Sequence, residues 1–253
     1  MESNHSTPAN AQSAHERIAD IPVALLAGGL ATRLRPITQT IPKALAPVAG
    51  RPFIDHQLDL LRRHGIRRVV MCLGYLGEMV EAHLGDGASR GMTISYSYDG
   101  KILLGTGGAI RRALPMLSDL FWVMYGDSYM DIDYRAVLAH FDANPSALGL
   151  MTVLRNDGQW DKSNVIFKEN KLIRYDKRNT SADMTFIDFG VALLRRAAAD
   201  RIGDGPSDLA HLYTRLVEEG SMIGYEVHNR FYEIGTPQSW AEADEYLRRA
   251  RTE

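Results

Sequence analysis

Several absences narrow the possibilities for this 253-residue chain. It holds no apolar run of the roughly 18 residues that a membrane-crossing helix needs. Its first twenty residues contain no apolar segment of the kind a secretory signal requires. A cytoplasmic protein without membrane insertion is the expectation. There is one cysteine, Cys72, so no intrachain disulfide can form. Its place in the apolar run Val69-Val70-Met71-Cys72-Leu73 reads as a buried, inert thiol. Neither sign of charge dominates: 29 Lys and Arg stand against 31 Asp and Glu, a formal charge of −2. A general nucleic-acid binder would show a basic face or stripe, so nucleic acid is not an expected partner. No internal repeat and no inter-domain linker is visible.

What is present is ordinary for a globular domain, with 45% apolar and 24% charged residues. Residues 1–20 lack periodicity and read as a loose tail, with a single domain over residues 21–253. Residues 21–27 form a buried apolar strand ending at Gly28-Gly29, followed by a long loop through Pro36, Pro42 and Pro47. Further on, apolar strands alternate with helical spacing: a helix from Phe53 to His64, a strand from Val69 to Leu73, a helix from Leu76 to Leu84. A strand from Met92 to Tyr98, a helix from Ala109 to Leu117 and a strand from Phe121 to Tyr125 continue the pattern. Asp133 is placed to cap a helix over residues 134–141, and a strand at 147–154 follows. Near-continuous apolar strands in such an alternation predict a Rossmann-like three-layer α/β/α fold with a mostly parallel sheet. Strands at 165–167, 172–175 and 184–194 have few helices between them and predict a small antiparallel extension. A helix at 209–218, strands at 222–228 and 231–234, and a last helix capped by Thr236 with Pro237 at its first position complete the chain.

The segment Leu25-Leu26-Ala27-Gly28-Gly29-Leu30-Ala31-Thr32-Arg33-Leu34-Arg35-Pro36, with Pro42-Lys43 after it, is the most informative. Two glycines after a buried strand allow a tight turn that exposes N–H groups to an anion. Arg33 and Arg35 add fixed positive charge, and a guanidinium has the fork that suits phosphate oxygens. Lys43 sits in a proline-flanked loop that can hold its amine toward the same place. A helix terminus offers only about half an elementary charge. A triphosphate therefore needs Arg, Lys and a metal ion as well. The Walker A spacing and the dinucleotide fingerprint are both absent.

This string resembles the signature of the sugar-1-phosphate nucleotidyltransferases, L-A-G-G-x-G-T-R-L-x-P-x-T…P-K, and the likeness runs over about residues 21–250. Ala31 stands where that family usually has glycine. The resemblance implies a nucleoside triphosphate and a sugar 1-phosphate as substrates. It also implies Arg33 and Lys43 as catalytic contacts to the reacting phosphates, and Leu26, Ala27, Gly28, Gly29 and Thr32 as further nucleotide-binding residues. Gly105-Thr106-Gly107-Gly108 resembles the family loop that contacts base and sugar, and its small residues let a flat ring approach the backbone.

Asp127 ends the strand 121–125 after Gly126, a place where a carboxylate suits Mg²⁺. Glu233, in Tyr232-Glu233-Ile234-Gly235-Thr236-Pro237, offers a second carboxylate. The resemblance implies that these two hold the catalytic metal, although many members carry aspartate at the second place. For the sugar phosphate it points to Asp188 and Gly190 on the strand 185–191, and to Lys162 and Asn164. Asp131-Ile132-Asp133 competes with Asp127, since D-x-D after a strand resembles the metal motif of nucleotide-sugar glycosyltransferases; Asp133 is better explained as a helix cap. His56, His64, His83, His140, His211 and His228 show no metal-ligand spacing.

The motifs look most like the short heptose 1-phosphate guanylyltransferases. The mannose 1-phosphate enzymes and the uridylyltransferases for N-acetylmuramate 1-phosphate and glucose 1-phosphate are close behind. GTP with a heptose or manno-configured sugar phosphate is the expectation. No hexapeptide repeats are present, so the β-helix domain of longer relatives is not expected. A glycosyltransferase would not need the Arg33–Lys43 loop. A regulatory subunit would be expected to have lost Arg33, Lys43 or Asp127. The sequence does not set the oligomeric state and is compatible with a homo-oligomer.

Overall fold

The computed structural model describes residues 17–34 and 37–250. Arg35 and Pro36 of the phosphate-loop string lie outside the described residues, as does most of the expected tail. That tail ends sooner than expected. Residues 17–20 are helical, Ile18 is fully buried, and Arg17 is ion-paired with Asp142. An apolar residue that reaches the core secures this segment, which composition alone does not reveal.

Strand β1 (Val23–Leu26) leads into three short 3₁₀ turns, Thr32–Leu34, Ile37–Gln39 and Lys43–Leu45. A small hairpin, β2 (Pro47–Val48) with β3 (Arg51–Pro52), feeds helix α1 (Phe53–Arg63). Then come β4 (Arg68–Leu73), α2 (Gly77–Leu84), β5 (Thr93–Tyr98), α3 (Gly105–Ala113), β6 (Leu120–Tyr125), β7 (Ser128–Tyr129) and α4 (Tyr134–Asp142). β8 (Gly149–Arg155), β9 (Val165–Lys168), β10 (Lys171–Tyr175) and β11 (Phe186–Arg195) follow almost without helices. The short α5 (Arg196–Ala199), then α6 (Leu209–Glu218), β12 (Met222–Val227), β13 (Tyr232–Glu233) and α7 (Pro237–Arg249) close the chain.

Among the described residues, nine strands share one sheet. β6, β1, β4 and β5 run parallel, as crossover helices require. β11 pairs antiparallel with β6 on one side and with β8 on the other, and β12 runs parallel to β8. The antiparallel hairpin β9–β10 extends the sheet at Phe186, so the expected extension is continuous with the main sheet. This is the mostly parallel, mixed, Rossmann-like three-layer arrangement.

Alternation along the strands builds both faces. Val23 and Leu25, Val69 and Met71, and Trp122 and Met124 point into the layer of α1, α2 and α4. Ala24 and Leu26, Val70 and Cys72, and Phe121 and Val123 point into the layer of α3 and α6. A third cluster joins Leu34, Val48, Phe53, Tyr129, Ile234 and Leu247, tying the phosphate loop, α1 and the C-terminal helix together. Asp133 caps α4 by accepting from the N–H groups of Arg135 and Ala136. Thr236 and Ser239 form a reciprocal capping box with Pro237 inside it. Among the described residues no helix is long and apolar enough to cross a membrane.

Trp122 is fully buried, meets the Tyr134 ring edge-on at 5.4 Å, and its indole N–H finds no partner among the described residues. Trp122→Ala is expected to cost about 3–5 kcal/mol. Trp122→Phe deletes the unpaired donor while keeping the ring contact, and should cost less than half as much. Urea unfolding of the two variants measures the difference.

Candidate functional site

The parallel strands β1, β4 and β6 end at one edge of the sheet, where open α/β sheets place their ligands. A cleft of about 380 Å³ lies there. The phosphate loop forms one wall. The ends of β1 and β4 approach so closely that a Cβ on Gly74 would sit 2.5 Å from the Gly28 carbonyl oxygen. Ala31 has φ of +47°, the left-handed region that glycine favours. Its carbonyl accepts from the buried Thr38 hydroxyl at 2.7 Å and from the Leu34 N–H at 3.1 Å. Leu34 is buried in the third cluster, so the turn Thr32–Leu34 is anchored through one side chain while Thr32 and Arg33 stay exposed. Lys43 opens the third turn, with buried Ala44 as its anchor.

Across the cleft, β6 ends at Tyr125 and the chain turns at Gly126-Asp127 into β7. β13 pairs with β7, Glu233 opposite Ser128, and the Ile234 N–H donates to the Asp127 carbonyl at 2.9 Å. This two-residue ladder brings the two acids together. The Lys43 ammonium donates to Asp127 Oδ2 at 2.7 Å, and the Ser128 hydroxyl donates to Oδ1 at 3.1 Å. Burial raises the Glu233 carboxyl above its ordinary pKa, and the charge of Asp127 raises it further, while Lys43 and Arg33 oppose the rise. Gly235 belongs to the same arrangement, because a Cβ there would lie 2.9 Å from Glu233 Oε1. Arg33, Lys43, Asp127 and Glu233 therefore share one electrostatic neighbourhood.

Leu26, Ala27, Gly28, Gly29, Thr32, Arg33, Gly105 and Thr106 all line the cleft. Gly107 and Gly108 do not. Both are buried, and their N–H groups donate to the Ser207 carbonyl at 2.9 and 3.4 Å. A Cβ on Gly108 would sit 2.5 Å from the Gly205 carbonyl oxygen, so these glycines admit the 203–208 loop. The Thr106 hydroxyl and Asp208 complete that junction. Asp99, which follows β5, also lines the cleft. Its Oδ2 accepts the Leu104 N–H at 3.0 Å, and burial raises its pKa. Burial pushes the neighbouring Cys72 thiol up to about 12, in keeping with an inert side chain.

Asn164, Asp188 and Gly190 cluster on β11 and beside it. The Asn164 side-chain oxygen accepts the Asp188 N–H at 2.9 Å, and Asp188 Oδ1 accepts the Gly190 N–H at 3.0 Å. Gly190 has φ of +98° within the irregularity where β11 shifts its pairing with β8. Lys162 stands apart, exposed on the loop before β9. Another cation, Lys177, takes the position beside the cleft: its ammonium donates to the Tyr125 hydroxyl at 3.4 Å and lies 5.4 Å from that ring. Burial disfavours its charge, but Tyr125 and Asp188 outweigh that and hold its pKa above the usual lysine value. Sequence reasoning missed Lys177 because only the β9–β10 hairpin, which returns the chain to Tyr125, distinguishes it from Lys162. Asp131 is paired with His64 at 2.9 Å and Asp133 is spent on its cap. They line a separate cavity with Arg63, Arg135 and Asn229.

A glycine loop, exposed guanidinium, lysine and paired carboxylates at the C-terminal edge of a parallel sheet define an α/β enzyme that handles phosphates. The family described as Nucleotidyl transferase matches residues 23–163, and the chain belongs to it. It is 30% identical over 239 residues to the N-acetylmuramate alpha-1-phosphate uridylyltransferase of Caulobacter vibrioides, covering 89% of this chain and 96% of that one. It is 35% identical over 133 residues to the D-glycero-alpha-D-manno-heptose 1-phosphate guanylyltransferase of Campylobacter jejuni, covering 53% of this chain and 58% of that one. A putative glucose-1-phosphate thymidylyltransferase from Bacillus anthracis shares the fold with a TM-score of 0.81 at 20% identity, over 90% of this chain and 95% of that one.

Ala31→Gly relieves a left-handed alanine and should stabilise the protein by about 0.5–1 kcal/mol, net of the entropy that glycine adds to the unfolded chain. Chemical denaturation checks this.

Proposed function

We propose that this enzyme transfers a nucleotidyl group from a nucleoside triphosphate to a sugar 1-phosphate, releasing pyrophosphate. The observation that carries this reading is the meeting of Lys43 with Asp127, with Glu233 and Arg33 in the same field. The Arg33 and Lys43 cations match polyphosphate oxygens, and the Asp127 and Glu233 carboxylates match a divalent cation. Mg²⁺ takes one or two protein carboxylates and completes its shell with phosphate oxygens and water, so the donor set Asp127 and Glu233 fits it. When bound, the ion neutralises charge on the reacting phosphates.

A sugar 1-phosphate oxygen forms the new P–O bond at the α-phosphorus, and the bond to the β-phosphate oxygen breaks. The attacking monoester is already an anion at neutral pH, so the site needs no general base. Arg33 and Lys43 stabilise charge on the transferring and leaving phosphates. The backbone of Gly28 and Gly29 lets the polyphosphate lie against the end of β1. Thr106 and Gly105 flank the nucleoside. Asp188, Asn164 and Gly190 offer polar groups to the sugar, with Lys177 beside its phosphate; Lys162 is too exposed to be favoured for that role.

For the base, GTP is favoured. Asp99 lines the cleft with Gly105 and Thr106 and carries a carboxylate acceptor, and guanine carries two adjacent donors, N1–H and the N2 amine, where uracil carries one. A manno-configured heptose or mannose 1-phosphate is the favoured acceptor. The near-full-length likeness to an N-acetylmuramate enzyme supports a second reading, UTP with N-acetylmuramate 1-phosphate. Location in the cytoplasm and assembly as a homo-oligomer stay with the sequence as expectations.

Pyrophosphate release measured over four triphosphates and a panel of sugar 1-phosphates tests all this. Turnover is expected with GTP and a manno-type sugar phosphate, and no release with any pair would overturn the proposal. Arg33→Ala should lower kcat about 10²–10³-fold with a modest change in nucleotide KM. An unchanged kcat would remove Arg33 from the chemistry.

A further inference from the structure

Helix α1 buries three polar side chains, Asp55, His56 and Gln57, and Gln57 is the most deeply buried of them. Gln57 is 1% exposed, and its helix neighbours Phe53, Ile54, Leu58 and Leu61 are buried apolar groups. Its amide nitrogen donates to the Tyr125 carbonyl at 2.9 Å and to the Ser128 carbonyl at 2.8 Å. Those carbonyls lie on either side of Gly126-Asp127. Ser128 also pairs with Glu233 across the β7–β13 ladder. The amide orientation is fixed by chemistry, because turning it over would set an oxygen against two carbonyl oxygens. In the orientation adopted, Oε1 is buried and has no partner among the described residues. The fold thus accepts one unpaired oxygen in order to place two donors behind the turn.

We infer that Gln57 is a positioning residue for the carboxylate pair. It clamps both ends of the Tyr125–Ser128 turn and thereby fixes the direction in which Asp127 meets Lys43 and the cation. Gly126 makes the turn pliable, and Asp127 is partly exposed, so neither holds the geometry alone. The inference rests on the proposed role of Asp127 and Glu233 and concerns how they are held, without any contact between Gln57 and substrate. Supporting groups behind metal carboxylates typically contribute about 10–100-fold in metal affinity or activity.

Two near-isosteric variants test it. Gln57→Met removes both donors and the unpaired oxygen, and Gln57→Glu replaces the donors with acceptors facing two carbonyls. Each is assayed for kcat, nucleotide KM and metal half-saturation. Each is also titrated with Mn²⁺ by electron paramagnetic resonance in the presence of a non-hydrolysable triphosphate, with thermal melting as the folding control. The expected result is Mn²⁺ affinity and kcat both lowered about 10–100-fold in folded variants, with nucleotide KM far less affected. Folded variants with unchanged Mn²⁺ affinity and kcat would overturn the inference. So would failure of both variants to fold, which would make Gln57 a purely structural residue. Absence of pyrophosphate release by the parent enzyme would instead defeat the proposed reaction, while the Mn²⁺ titration would still report on Gln57.

Discussion

Burial raises the cost of ionising a carboxylate, and the charge of a nearby carboxylate raises it further. Everything at the cleft is arranged around this constraint. The β7–β13 ladder forces Asp127 and Glu233 together although they lie far apart in the chain. Burial and the charge of Asp127 raise the pKa of Glu233, and the Lys43 ammonium, the Arg33 guanidinium and the Ser239 side chain oppose the rise. Such a pair is a place where added positive charge is welcome. In the proposed reaction the same cations serve phosphate oxygens, so one electrostatic arrangement would suit both a cation and a polyphosphate.

The scaffold makes this possible by converging on one edge. Parallel β1, β4 and β6 deliver the Gly28 turn, the Gly74 close approach and the Asp127 turn to the same rim. The third apolar cluster then binds the phosphate loop to the C-terminal helix through Leu34, Ile234 and Leu247. Because β13 and α7 belong to that cluster, the last segment of the chain closes the site that the first strand begins. The antiparallel strands supply the other side: β10 leads to Lys177, and the irregularity in β11 brings Asp188 and Gly190 near Tyr125.

Much of this was legible in the sequence wherever one residue type answers one local need. Gly28-Gly29 after a buried strand, Arg33, Lys43 between prolines, and Gly126-Asp127 at a strand end each announce their chemistry within a few residues. Asp133 and Thr236 could be read as caps because a cap is a local hydrogen bond. Ala31, where the family signature carries glycine, adopts the left-handed φ of +47° all the same. What was not legible depended on distant partners. Gly107 and Gly108 look like a ligand loop until the Ser207 carbonyl takes their N–H groups, which also starts α3 at Gly105. Lys162 and Lys177 are alike in sequence and separate only when a hairpin folds back. Ile18 cannot be told from a tail residue until a core exists to receive it.

Asp127, Glu233, Arg33 and Lys43 are proposed to serve a single cation–polyphosphate site. Anomalous diffraction from a crystal grown with Mn²⁺ and a non-hydrolysable nucleoside triphosphate tests it most directly. The account predicts a metal peak about 2.0–2.2 Å from oxygens of both Asp127 and Glu233, with phosphate oxygens completing the shell and Arg33 on the polyphosphate. A metal held by Asp131 and Asp133 instead, or a nucleotide whose phosphates lie away from Gly28 and Lys43, would contradict it.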